Sequence, residues 1–191
     1  QSEEITPHLL RALQEAVERP VDSKDKDASF LPLYAIFLLA QFRDRRAYPL
    51  IVEMCKLPRK SLDVLIGDTI TEGLPRIIAS VFDGDTKPIK SVIEDSSIDE
   101  YVRGSAIRSL SILVHEGVIE REEVIAYFTE LFRTRLEREP SHVWDELASE
   151  AVDLYAKTLA DDIRGAYEKG LLWPGYMQPE EVEEVFAMQE E

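Results

Sequence analysis

Apolar positions recur along this chain as a four-residue stripe with the spacing i, i+4, i+8, i+11. The stripe occurs as Leu31/Ala35/Leu39/Phe42, Ile70/Leu74/Ile78/Val81, Val102/Ala106/Leu110/Leu113 and Trp144/Ala148/Val152/Tyr155. That spacing keeps four side chains on one face of an α-helix, so each stretch is predicted to be a helix with one buried side. A shorter segment follows each stripe and carries an apolar i, i+4 pair: Leu50/Met54, Ile89/Ile93, Val124/Phe128 and Ile163/Tyr167. A helix pair recurring at intervals of 32 to 42 residues cannot cover its own stripe and needs a neighbour. This predicts an all-α, stacked superhelix of about four helix pairs.

Punctuation supports the same division. Thr6 suits an N-cap with Pro7 at the first helical position and Ile5 stapled on Leu10, and Leu9, Leu10, Leu13 and Val17 give a stripe ending before Pro20. Residues 1–20 are therefore expected to be an N-terminal cap helix. Residues 21–28 are polar, with Asp22, Asp25 and Asp27, and read as a solvated linker before a helix starting near Ser29 and Pro32. Shifting the chain by 39 residues superposes Ala40 on Ala79, Asp44 on Asp83 and Pro49 on Pro88. The two Asp residues are expected to end their helices and the two Pro residues to sit in the first turn of the next. Leu62, Leu65 and Ile66, between Leu57 and Thr69, predict one extra helical turn.

The third pair is expected from Asp99, with its first helix ending at Gly117 and acid at Glu122 and Glu123 opening its second. The fourth opens with Ser141 as N-cap, after Pro140, and closes at Gly170. Residues 171–191, with Trp173-Pro174-Gly175-Tyr176 and a short helix from Pro179 to Met188, are read as the C-terminal cap of a single domain whose repeats fill 29–170.

Charge narrows the function. With 38 acidic against 22 basic residues in 191, the net charge is −16, and an extended nucleic-acid surface, which needs clustered Lys and Arg, is not expected. The most apolar run, Phe30 to Phe42, is too short to span a bilayer. One cysteine, Cys55, excludes an internal disulfide and fits a reducing cytosol or a compartment where bridges are not needed, so a cytoplasmic setting is expected. The start at Gln1 reads as a fragment or a processed chain.

Residues 34–51, Tyr-Ala-Ile-Phe-Leu-Leu-Ala-Gln-Phe-Arg-Asp-Arg-Arg-Ala-Tyr-Pro-Leu-Ile, resemble a HEAT-type repeat, and Val102-Arg103-Gly104-Ser105-Ala106-Ile107-Arg108-Ser109-Leu110 is similar to the Val-Arg-x-x-Ala-x-x-x-Leu core of that class. More narrowly, Ala47-Tyr48-Pro49-Leu50-Ile51, Gly67-Asp68-x-x-Thr71-Glu72, Glu100-Tyr101-Val102-Arg103 and Leu136-Glu137-Arg138-Glu139-Pro140-Ser141 resemble an uncharacterised bacterial family, domain of unknown function 1186. The resemblance implies a HEAT-like fold and supplies no catalytic residues. Some members of that family continue into a cysteine-rich zinc-binding tail like that of the SecA motor; such a tail would lie beyond Glu191.

Candidate chemistry is sparse. His8, His115 and His142 form no i, i+3 or i+4 pair, and His115 is placed to bond helix-terminal carbonyls before Gly117. Cys55 lies near Lys56, Arg59 and Lys60, which would lower its thiol pKa, but its expected role is packing. Eight glycines are scattered without a phosphate-loop pattern, and Asp83-Gly84-Asp85 reads as a turn. Carboxylate pairs such as Glu94/Asp95, Asp99/Glu100 and Asp161/Asp162 are expected on solvated faces. Arg43, Arg45 and Arg46 with Lys56, Arg59 and Lys60 would make a positive rim suited to an acidic peptide or phosphate, or else balance neighbouring acids.

The expected function is a non-catalytic protein–protein interaction module, without metal or cofactor, that grips another protein or peptide in a groove made by the second helices. The partner-binding positions expected are Glu53, Lys56, Lys90, Tyr127, Glu130 and Arg164, with Trp173 in the tail. Two alternatives remain: a HEAT-like enzyme or cofactor-binding protein, since relatives of the broader class act on tetrapyrroles or bind damaged bases, and the recognition half of a longer, zinc-binding protein. A deep pocket with a buried ionisable pair would favour chemistry, and a shallow groove would favour docking.

Overall fold

A computed structural model describes residues 2–20 and 29–188, so the 21–28 linker lies outside the described residues. Among the described residues every regular element is helical. The chain divides into two compact units, residues 1–109 and 110–191, with the boundary inside one helix.

The first unit holds α1 (Ser2–Glu18), α2 (Leu31–Gln41), a 3-10 turn (Arg45–Ala47), α3 (Tyr48–Cys55), α4 (Arg59–Leu65), α5 (Thr69–Glu72), α6 (Leu74–Val81), α7 (Lys87–Glu94) and the start of α8 (Glu100–His115). α2 packs on α1 and α6, and α3 packs on α1 and α7. The second unit holds the end of α8, then α9 (Arg121–Glu130), a π-helical turn (Leu131–Arg135), α10 (His142–Asp153), a 3-10 turn (Lys157–Leu159), α11 (Ala160–Glu168) and α12 (Pro179–Ala187). There α10 touches α9 and α12, and α11 touches α12.

The second and third stripes are buried throughout. In the first stripe Ala35 and Leu39 are buried and Phe42 is half-buried, and in the fourth Trp144 and Ala148 are buried and Val152 is half-buried, but Leu31 is 49% and Tyr155 47% exposed. Leu31 is the first residue of its helix. Tyr155 lies beyond the end of α10, with φ +50°, so helical periodicity no longer governs it, and Leu154 points inward instead. The second stripe also spans two helices. Gly73 separates α5 from α6, and Pro75 has no N–H to continue the ladder between them.

The local punctuation is partly as expected. Pro49 and Pro88 occupy the second positions of α3 and α7, and Gly117 and Gly170 follow their helices at φ +67° and +66°, where a Cβ would be strained. Asp44 and Asp83 lie just past the ends of α2 and α6 and cap the next turn, accepting the N–H groups of Arg46 (3.1 Å) and Asp85 (3.0 Å). The side chain of Arg46 also bonds Asp44 and holds that carboxyl below its ordinary pKa. Between them the extra helical turn is in fact two helices, α4 and α5.

Three expectations are corrected. α1 starts at Ser2, with Pro7 inside the helix and Thr6 buried, and not at a Thr6 cap. Pro7 removes only one bond, in the first turns, where free carbonyls meet water. Ser141 occupies the N-cap position of α10, but its hydroxyl makes no capping bond and is buried without a partner. His115 reaches across to Asp153, with Nε2 2.6 Å from Oδ2, instead of bonding carbonyls of its own helix.

Candidate interaction surfaces

α2 is apolar on both sides. Pro32, Ala35, Ile36 and Leu39 face the core, while Phe30, Tyr34 and Phe37, spaced i, i+4, i+7, are 67%, 62% and 47% exposed, with Leu31 beside them. A helix that is apolar all round is ordinarily buried on every side. Here, among the described residues, one aromatic face is left open. The stripe spacing assigns Leu31 to the core and leaves Phe30, Tyr34 and Phe37 without a role. The available signal was the density of apolar residues from Phe30 to Phe42, which exceeds what one buried stripe needs.

In the second unit, the Trp173-Pro174-Gly175-Tyr176 turn is tied to α10 by two buried carboxylates. Asp145 Oδ1 accepts the Trp173 N–H at 2.8 Å, and Glu146 Oε2 accepts the Tyr176 hydroxyl at 2.9 Å. His142 Nε2 stands 3.6 Å from the same Glu146 oxygen, and its ring meets the Tyr176 ring edge-on at 5.6 Å. Tyr167 of α11 donates to the Met177 carbonyl at 2.6 Å, and Gln178 to that of Pro174. The Trp173 indole lies over Gly175, where a Cβ would sit 2.6 Å from a ring carbon, so a larger residue there would push the exposed ring aside. Carboxylates that look like ordinary surface acids in the sequence thus hold the tail in place.

That tail positions α12 against α11. Between them lies a cleft of about 280 Å³ lined by Ala160, Ile163, Tyr167, Pro179, Val182 and Phe186, with Arg164, Glu168 and Glu183 at its rim. Arg164 spans the mouth, 2.9 Å from Asp161 and 3.8 Å from Glu183. This ion pair is exposed on both sides. The arrangement is therefore a shallow apolar groove with a charged edge rather than a buried ionisable pair.

The expected partner-binding residues separate on these surfaces. Glu53 and Lys56 bond each other at 2.6 Å along α3. Lys90 is half-buried, and Tyr127 is buried in the core at 5% exposure, which leaves its ring no area to offer a partner. Glu130 is paired with Arg135 at 2.9 Å. Arg164 stands at the cleft and Trp173 is 66% exposed on the tail turn. In the expected positive rim, Arg46 is matched by Asp44, Lys56 by Glu53, and Arg59 by Asp63 and Asp99. Its reading as charge balanced by local acids fits these contacts.

Cys55 is 1% exposed, and burial pushes its thiol up to about 12 against the smaller opposing effect of Lys56. The basic neighbours do not activate it. Its reaction with a thiol reagent at pH 8 is expected to proceed only as fast as the chain opens, and urea should accelerate it sharply. Rapid labelling of the native protein would contradict this burial. Among the described residues no three His, Cys, Asp or Glu side chains gather as a metal site would require, and no helix is long and apolar enough to cross a membrane.

A family model described as "Protein of unknown function (DUF1186)" matches residues 1–191. The chain belongs to the DUF1186 family. It is 41% identical over 182 residues to an uncharacterised protein of Chlamydia trachomatis serovar D, which covers 95% of this chain and 72% of that protein. An uncharacterised protein of Chlamydia muridarum is 40% identical over the same length, covering 95% of this chain and 73% of its own. No solved structure matches.

Two segments that carried the DUF1186 resemblance have visible structural work. Arg138 donates to the carbonyls of Phe132 and Arg133 within the π-helical turn, and the Glu137 carbonyl accepts the Trp144 indole N–H at 3.1 Å. Arg103, 2% exposed, donates to the Ile93 carbonyl of α7 at 2.8 Å, and in the HEAT-like stretch that overlaps this segment the Ser105 hydroxyl donates to the Ile70 carbonyl of α5 at 2.5 Å. These residues hold together the helices of their own units.

Proposed function

We propose that this DUF1186 chain is a non-catalytic protein-interaction module made of HEAT-like helix-pair repeats, with the aromatic face of α2 as a docking surface for another protein. The repeat reading rests on the recurrence of the buried stripes and on the Pro-led second helices α3 and α7. The observation that carries the functional reading is the open Phe30/Tyr34/Phe37 face. Exposed aromatic side chains in a row are costly to leave in water and are the side chains that dominate binding energy at protein interfaces. The shallow form of the α11–α12 cleft agrees with docking rather than catalysis.

A photo-crosslinking amino acid placed at Tyr34 in the full chain, in its native cells, tests this. The expected result is a covalent adduct with a distinct second protein. Phe30→Ser with Phe37→Ser should abolish the adduct while leaving the melting temperature within a few degrees, because neither ring is in the core. Recovery of uncrosslinked chain alone would defeat the proposal.

A further inference from the structure

We infer that the α11–α12 cleft is a second docking site, and that its occupant is a basic amphipathic helix of a partner protein. The inference rests on the interaction reading above but on a different surface.

The cleft has an apolar floor, with Ile163, Val182 and Phe186 buried and Pro179 and Tyr167 half-buried. At about 280 Å³ it falls at the lower edge of the roughly 300–1,000 Å³ typical of small-molecule pockets. It suits the large side chains of a helix better than an enclosed ligand. α11 and α12 are nine residues each, giving a groove about 13 Å long at 1.5 Å per residue. That length presents room for apolar anchors at i, i+3 or i+4, and i+7 of a docked helix.

Charge selects among amphipathic helices. α11 and α12 carry seven carboxylates, Asp161, Asp162, Glu168, Glu180, Glu181, Glu183 and Glu184, against the single guanidinium of Arg164. Glu181 is engaged in the capping box with Gln178 and Asp162 in an ion pair with Arg133. Glu168 and Glu183 line the cleft itself. An acidic helix would meet like charge along both walls. A basic one would find carboxylates on either side of its apolar face, an arrangement that sets specificity and association rate. Arg164 is the one rim group that opposes such a partner, and its pairing with Asp161 and Glu183 keeps two of those carboxylates occupied until a cation on the partner replaces it.

The probes are a helical Leu/Lys peptide with its leucines at i, i+3, i+4 and i+7 and the matching Leu/Glu peptide, titrated against the full chain by fluorescence anisotropy. The Leu/Lys peptide is expected to bind saturably, more weakly as salt rises, and the Leu/Glu peptide is not. Glu168→Lys with Glu183→Lys should weaken binding about tenfold, and Arg164→Glu should strengthen it several-fold. All three positions are exposed, and a gain of affinity is something misfolding does not produce. Equal binding of the two peptides, no saturable binding, or an Arg164→Glu variant with unchanged affinity would overturn the inference. A Tyr34 adduct obtained alongside any of these would remove this cleft and leave the α2 reading standing, whereas peptide binding without an adduct would do the reverse.

Discussion

Trp144→Ala is expected to destabilise the second unit by about 3–5 kcal/mol, the usual cost of emptying a fully buried aromatic site. Trp144 is 0% exposed, packs against Phe132 at 5.9 Å, lies under the Arg138 guanidinium at 5.2 Å and donates its indole N–H to the Glu137 carbonyl. Removing it opens a cavity, leaves that carbonyl without its donor and frees the link between α10 and the stretch from Phe132 to Arg138. Trp144→Phe fills most of the cavity but restores no N–H, so it should recover the larger part of the loss and retain a deficit near 1 kcal/mol. Thermal denaturation should show a fall in Tm on the order of 10 °C for Ala. A shift of only a degree or two would mean that the indole does not organise this core.

The second large effect concerns Arg103. Its side chain is 2% exposed and its Nε donates to the Ile93 carbonyl in the last turn of α7, where an unpaired helix carbonyl has no access to water. Arg103→Met keeps much of the aliphatic volume and removes the donor, so the loss, about 2–4 kcal/mol, reports the polar contacts and not a cavity. Urea denaturation should show a lower midpoint, and amide exchange should quicken first in the last turn of α7. Unchanged exchange there would show that α7 does not depend on this bond.

The helical architecture of each unit was legible because burial follows the 3.6-residue period wherever a helix is unbroken. Val102, Ala106, Leu110 and Leu113 lie on α8 without interruption and are all buried. Pro49, Pro88, Gly117 and Gly170 marked element ends correctly because each carries a backbone constraint independent of its neighbours. The errors fall where the next residues along the chain decide. Tyr155 kept the spacing of the stripe but lies past the helix end, and Thr6-Pro7 looks like a helix start although the helix continues one turn further back.

The candidate site was much less legible. Glu53, Lys56 and Glu130 are non-stripe positions in the sequence, and each is engaged by a neighbour within six residues. Tyr127 is a non-stripe position too, yet it is buried, because α9 buries more than the Val124/Phe128 pair. Arg164 and Trp173 stand on usable surface, yet for reasons the periodicity did not contain: one bridges two helices and the other rides on a turn latched by Asp145 and Glu146.

By itself the sequence determined that this protein is all-helical, acidic and recurrently striped, since periodicity, composition and backbone-limited residues act locally and survive any change of partner. Only the tertiary structure decided which apolar side chains stay in water, which carboxylates are buried, and that a cleft forms between α11 and α12. Those outcomes depend on which faces meet, and a face is covered or left open by residues distant in the chain.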